Sequence, residues 1–264
     1  MKLSISNIAW SAEHDEEMYG FLHSAGFTGL EIAPTRIFPE KPYQHLNEAK
    51  EFANRLFEEY GLRISSMQSI WYGITKNIFG TAEDRQILLD YTKSAIDFAA
   101  AIECGNLVFG CPKNRNVPER ISCKEQIAID FFSGIAAYAA ENGTVIALEP
   151  NPPIYGTNFI NETTAAFKFC RTAGKKGLKV NIDLGTMIFY NEPVSLISDN
   201  LNDVNHIHIS EPKLAPLEKR KTHREMLALP FDGYFSIEMA NAGNLSIVKQ
   251  QVGYIAELAK EVKA

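Results

Sequence analysis

Thr144-Val145-Ile146-Ala147-Leu148-Glu149 is a β-rich run that ends in a side chain able to bind a metal, and the chain repeats this arrangement three more times. The other runs are Val180-Asn181-Ile182-Asp183, His206-Ile207-His208 and Phe235-Ser236-Ile237-Glu238. Side chains alternate faces along a strand, so Glu149 shares a face with Ala147 and Val145, and Asp183 with Asn181. His208 likewise shares a face with His206, and Glu238 with Ser236 and Tyr234. These partners are mostly small or polar, as positions inside a barrel near an active mouth are. Successive endings lie about one βα unit apart, which places the four groups on adjacent strands.

Outward from these runs, short β-rich segments alternate with longer helical-period segments over the whole chain, the pattern of a parallel sheet. Strands are predicted at 2–8, 28–32, 63–67, 106–109, 144–149, 179–183, 204–209 and 234–238, with helices that include 48–60, 82–101, 124–141 and 245–262. Glycines at 26, 61, 143 and 233 precede four of the strands, and a left-handed glycine is a common helix stop. Eight units of this kind define a single (β/α)8 TIM barrel over residues 1–264. A doubly wound open sheet would carry a Gly-rich phosphate turn after the first strand, and Asn7-Ile8-Ala9-Trp10 has no glycine.

Composition agrees with one large domain. The chain has 264 residues, 45% hydrophobic and 22% charged, a size typical of one α/β barrel, and no linker-like stretch divides it. A net charge of -6 argues against nucleic acid, whose phosphates call for a basic surface. Cys104, Cys111, Cys123 and Cys170 form no C-x-x-C pair and are too sparse for a disulfide framework, which fits a reducing, cytoplasmic compartment. The N-terminus lacks a signal-peptide core, and no run approaches the roughly 18 apolar residues of a membrane span.

Three carboxylates converging without a cation repel one another, and a divalent metal removes the conflict. A set of one imidazole and three carboxylates, Glu149, Asp183, His208 and Glu238, suits Mn2+, Mg2+ or Co2+, and is compatible with Zn2+. A buried network of carboxylates with Lys or Arg is the competing reading. Glu31 ends the second strand and reads as a carboxylate behind the site or on the barrel edge; His206 reads as a core histidine or one that orients its neighbours. Gln68 and Asn7 either reach a substrate or satisfy the main chain. Lys113 and Arg115 after strand four, and Lys213 after strand seven, are candidates for binding an anionic sugar derivative, with Glu211 a further candidate for contact with the substrate. His223, at the start of a predicted helix, either joins them or caps the surface.

The endings Leu148-Glu149-Pro150-Asn151, Ile182-Asp183-Leu184-Gly185-Thr186, His206-Ile207-His208-Ile209-Ser210-Glu211 and Ser236-Ile237-Glu238-Met239 resemble those of the xylose isomerase-like TIM barrel superfamily. It includes sugar isomerases and epimerases related to D-tagatose 3-epimerase, inosose dehydratases and endonuclease IV. The resemblance implies a carbohydrate substrate, often a homo-oligomer, and a divalent metal, typically Mn2+, held by the four residues. It also implies that Glu149 and Glu238 move protons on opposite faces of a carbon next to a carbonyl, through an enediolate.

Three positions depart from the epimerase pattern: Gly156 stands for a Glu, Thr186 for a His, and Leu214 near an Arg. The trinuclear endonuclease site is incompatible with Gln68, Gly110 and Thr186. The resemblance therefore implies a metal-dependent sugar isomerase or epimerase acting on a sugar, sugar acid or sugar phosphate. A dehydratase of inosose type and a non-catalytic sugar-binding barrel stay open, with Lys213 and His223 as candidate replacements for the missing groups.

Overall fold

The structure is a computed structural model that describes residues 1–263. Its eight strands are β1 (Lys2–Ile5), β2 (Gly29–Ile32), β3 (Arg63–Met67), β4 (Leu107–Phe109), β5 (Ile146–Leu148), β6 (Leu178–Asp183), β7 (Val204–Ser210) and β8 (Tyr234–Glu238). All pair in parallel, in the order β1-β8-β7-β6-β5-β4-β3-β2. A parallel bridge from Ser6 to Glu31 draws the two ends of the sheet together. The chain is a single (β/α)8 TIM barrel, as its alternating pattern predicts.

The alternation in β7 shows why the sequence closes in this way. Ile207 and Ile209 face the surrounding helices and join the hydrophobic core, while His206, His208 and Ser210 are buried on the lumen side. Buried polar side chains bond from strand to strand: Ser4 with Ser65 at 2.6 Å, Asn106 with Ser66 at 2.9 Å, and Gln68 with Ser6 at 2.6 Å. Behind β4 and β5 the core is aromatic. Phe109 meets Trp71 and Phe132 edge to face, with centroids 4.6 and 4.7 Å apart. Such pairs add about 0.5–1.5 kcal/mol each beyond the area they bury, and here they fix β4, whose Phe109 carbonyl accepts from the Glu149 N–H at 3.1 Å.

The helix Leu46–Tyr60 stops as predicted at Gly61, whose φ of 67° lets its N–H turn back to the Phe57 carbonyl at 2.9 Å. Gly233 acts differently from the expectation. It is not left-handed; a Cβ there would fall 2.3 Å from the Phe231 ring and 3.0 Å from the Asn205 carbonyl, so close packing excludes a side chain. The first strand is also shorter than predicted. It ends at Ile5, because Ser6 caps a 3-10 turn over Asn7–Ala9. Asn7 serves the main chain, accepting from the Ala33 N–H at 2.9 Å.

The irregular stretches at 33–44 and 150–161 contain short helical turns, and each follows the C-terminal end of a strand. Among the described residues no helix is long and apolar enough to cross a membrane. The four cysteines are free.

Candidate metal centre in the barrel mouth

His208 stands at the centre of the mouth, wholly buried on β7. Its Nδ1 lies 3.0 Å from Glu149 Oε1 and 3.1 Å from Glu238 Oε2, and its Nε2 lies 2.9 Å from Glu31 Oε2. Glu149 follows β5 and Glu238 ends β8, so three elements converge on one ring. Burial alone would push the His208 imidazole down, but Glu238, Glu31 and Glu149 outweigh it and hold the ring well above the usual histidine range. For Glu238 burial dominates and pushes the carboxyl up, to about 7, against the pull of His208.

Both oxygens of Glu149 are held. Asn181 Nδ2 donates to Oε1 and Asn151 Nδ2 to Oε2, each at 2.8 Å. Neither was among the expected site residues; the strand face that Asn181 shares with Asp183 and the two-residue spacing of Asn151 from Glu149 are the signals that could have found them. Tyr155 is a further residue that sequence reasoning missed; nothing in its local pattern distinguishes it.

Of the four expected ligands, the structure brings Glu149, His208 and Glu238 together, with one donor atom from each within 4.8 Å of the others. Asp183 lines the same cavity but stands outside that close group. Its carboxylate accepts from Thr186 N at 2.9 Å, Thr186 Oγ1 at 2.7 Å, Gly185 N at 3.3 Å and the Ser210 hydroxyl. It caps the helix Leu184–Tyr190, and burial raises its carboxyl above the ordinary range, with Glu149 adding to the rise. Thr186 is therefore bound to Asp183 through both its N–H and its hydroxyl.

The cavity has a volume of about 180 Å³, and its walls include Gln68, Glu149, Asp183 and Glu238, with Tyr155 and Leu214. Gln68 donates to Ser6 Oγ and to Glu31 Oε1, so it presents one end to the lumen network while lining the cavity. Glu31 and His206 are both buried beneath, where the sequence placed them, with His206 Nε2 3.2 Å from Glu31 Oε2.

The remaining expected substrate-binding residues lie elsewhere. Arg115 is wholly buried, and its guanidinium donates to the Glu149 carbonyl and Asn151 Oδ1 at 2.6 Å each, and to the Phe159 carbonyl at 3.1 Å. It braces the loop after β5 instead of reaching out from its own loop. Glu211 accepts from Arg220 Nε at 2.7 Å, away from the cavity. His223 is buried against Tyr254, its Nδ1 3.1 Å from the phenol oxygen, and burial pulls its pKa down to about 4. It is not the surface cap that the alternative reading allowed. Lys113 and Lys213 are exposed and neither lines the cavity.

The donor set fits a divalent cation. Three buried carboxylates, Glu149, Asp183 and Glu238, line one cavity, and His208 Nδ1 lies beside two of them, so two oxygens and one nitrogen already converge. Fold and side chains together define a TIM barrel with a carboxylate-histidine cluster in its C-terminal mouth.

The chain belongs to the xylose isomerase-like TIM barrel family, whose profile it matches over residues 20–258. No curated protein matches the sequence significantly. Among solved structures, 3-keto-D-glucoside 4-epimerase from E. coli in its apo form is similar with a TM-score of 0.78 at 18% identity, over 97% of this chain and 99% of that one. D-psicose 3-epimerase from Clostridium cellulolyticum H10, solved with D-tagatose, gives 0.78 at 13% identity over 99% of both chains. An AP endonuclease of family 2 from Brucella melitensis gives 0.74 at 18% identity, over 97% of this chain and 99% of that one. At these identities the likeness establishes the fold.

Proposed function

We propose that the protein is a divalent-metal-dependent isomerase or epimerase of a sugar or sugar derivative, working by proton transfer at a carbon next to a carbonyl. The observation that carries this reading is the pair Glu149 and Glu238, which reach His208 Nδ1 from strands on either side of β7 while lining one cavity. Glu149, His208 and Glu238 would hold the ion, with Asp183 on the adjoining wall. When bound, the ion would polarise the substrate carbonyl and its neighbouring hydroxyl. The family membership and the epimerases that share the fold support the same reading.

The chain's own groups then divide the work. One glutamate takes the proton from the carbon and the other returns a proton from its own side, which inverts the centre. Asn151 and Asn181 fix the orientation of Glu149, so its attack direction is set before substrate arrives. His208 Nδ1, 3.1 Å from Glu238 Oε2, holds the second carboxylate in place at the cavity wall. Gln68, on the cavity wall, is the remaining sequence candidate for contact with the sugar.

The test is solvent exchange. Ketoses, sugar acids and their phosphates are incubated with the Mn2+-loaded protein in D2O, and recovered material is analysed by mass and NMR. The reading expects deuterium at the carbon beside the carbonyl, with Glu149→Gln and Glu238→Gln each slowing turnover by a factor of about 100 or more. Loss of water to give an enone or dicarbonyl chromophore would instead assign the site to a dehydratase.

A further inference from the structure

The ring of His208 is fixed from beneath by a residue on the far side of the barrel. Glu31 sits at the end of β2, wholly buried, with Oε2 2.9 Å from His208 Nε2. An ionised carboxylate only accepts hydrogen bonds, so the proton in that contact belongs to Nε2. The Glu31 carboxylate faces three nitrogens, His208 Nε2, His206 Nε2 at 3.2 Å and Gln68 Nε2 at 3.2 Å, the surroundings of a group that accepts. The nitrogen left facing Glu149 and Glu238 is then Nδ1.

Glu31 is itself immobilised. Gln68 Nε2 donates to its other oxygen at 3.2 Å and is locked in turn by Ser6 Oγ at 2.6 Å. The main chain of Glu31 pairs with Ser6 at the seam between β2 and β1. Closure of the barrel alone gives no reason for a charge at this place, because burying a carboxylate is costly where an apolar side chain would pack. The cost is understandable if the charge acts on His208.

We propose that Glu31 is the positioning residue of the metal centre: it holds the Nε2 proton of His208, presents Nδ1 alone to the cation, and thereby sets the affinity for the ion. This rests on the reading of Glu149, His208 and Glu238 as ligands, and carboxylate-histidine pairs behind metals elsewhere contribute 10–100-fold to affinity.

Two measurements test it. Mn2+ is titrated into wild-type and Glu31→Gln protein, free ion being followed by EPR and the fold by circular dichroism. The folded variant is expected to bind about 10–100-fold more weakly; a Kd within twofold of wild type overturns the proposal. The second is 15N-histidine NMR of wild type with and without Mg2+, which needs no variant to fold. Nε2 of His208 is expected to carry a proton in both states, and an unprotonated Nε2 overturns the proposal. If wild type binds no Mn2+, the metal reading fails, and the metal-free spectrum still decides whether Glu31 holds the ring.

Discussion

Arg115 spends its charge on the main chain. Its guanidinium meets the carbonyls of Glu149, Phe159 and Ile160 and the Asn151 amide oxygen, and burial draws its pKa down to about 10. Replacing it by methionine leaves buried carbonyls without donors, each costing about 1–3 kcal/mol, so Arg115→Met is expected to lose at least ~3 kcal/mol in urea unfolding. Gly110 shows the opposite sensitivity. A Cβ there would stand 2.7 Å from Glu149 Oε2, so Gly110→Ala pushes the carboxylate aside. Turnover should fall about 10–100-fold with little change in melting temperature, as a displacement of about 1 Å does in a positioned site. Neither role was legible in the sequence. Loop side chains take their direction from tertiary packing, so Pro112-Lys113-Asn114-Arg115 reads as a basic surface cluster although Arg115 points inward.

At the scale of elements, strand endings were the legible part. Period-two alternation fixes which side chains share the lumen, and parallel order fixes which end they reach, so Glu149, His208 and Glu238 meet where their spacing predicts. The barrel's loops carry no such period. The turn after β7 holds Lys213 and Leu214 at φ values of 62° and 54°, a left-handed pair without glycine, and the Lys213 N–H donates to Tyr155 Oη at 2.7 Å. Conformations of this kind cost of the order of 1–3 kcal/mol each and persist only where surrounding contacts impose them. Tyr155, from the loop after β5, is one such contact, and Leu214 beyond it lines the cavity. Tyr155→Phe is therefore expected to speed limited proteolysis within residues 211–216 and to raise KM severalfold, while global stability falls by only about 1 kcal/mol. Unchanged cleavage would show that the turn holds itself.

At the scale of the whole molecule, buried titratable groups make stability depend on pH. His223 has a folded pKa of about 4, below the ordinary 6.5 that it regains on unfolding. Above pH 6.5 it is neutral in both states and costs nothing; as pH falls from 6.5 towards 4 the unfolded chain takes a proton that the folded chain refuses, and stability is lost. Between pH 7.5 and 5 the loss from this group is about 2 kcal/mol. Glu238 opposes it, since a carboxyl raised by burial favours the folded state on acidification, so the clean readout is a difference. His223→Gln should show a flatter acid limb than wild type in urea unfolding, and parallel limbs would contradict the buried neutral ring.

The account as a whole depends on a cation in the mouth. The most direct measurement is the metal content of the purified chain after saturation with Mn2+ and removal of excess, by elemental analysis, for wild type and for His208→Ala. One tightly held ion per chain in wild type, absent in the variant, is the predicted result. A folded wild-type protein that retains no divalent ion would contradict it and return Glu149, His208 and Glu238 to an ion-pair network.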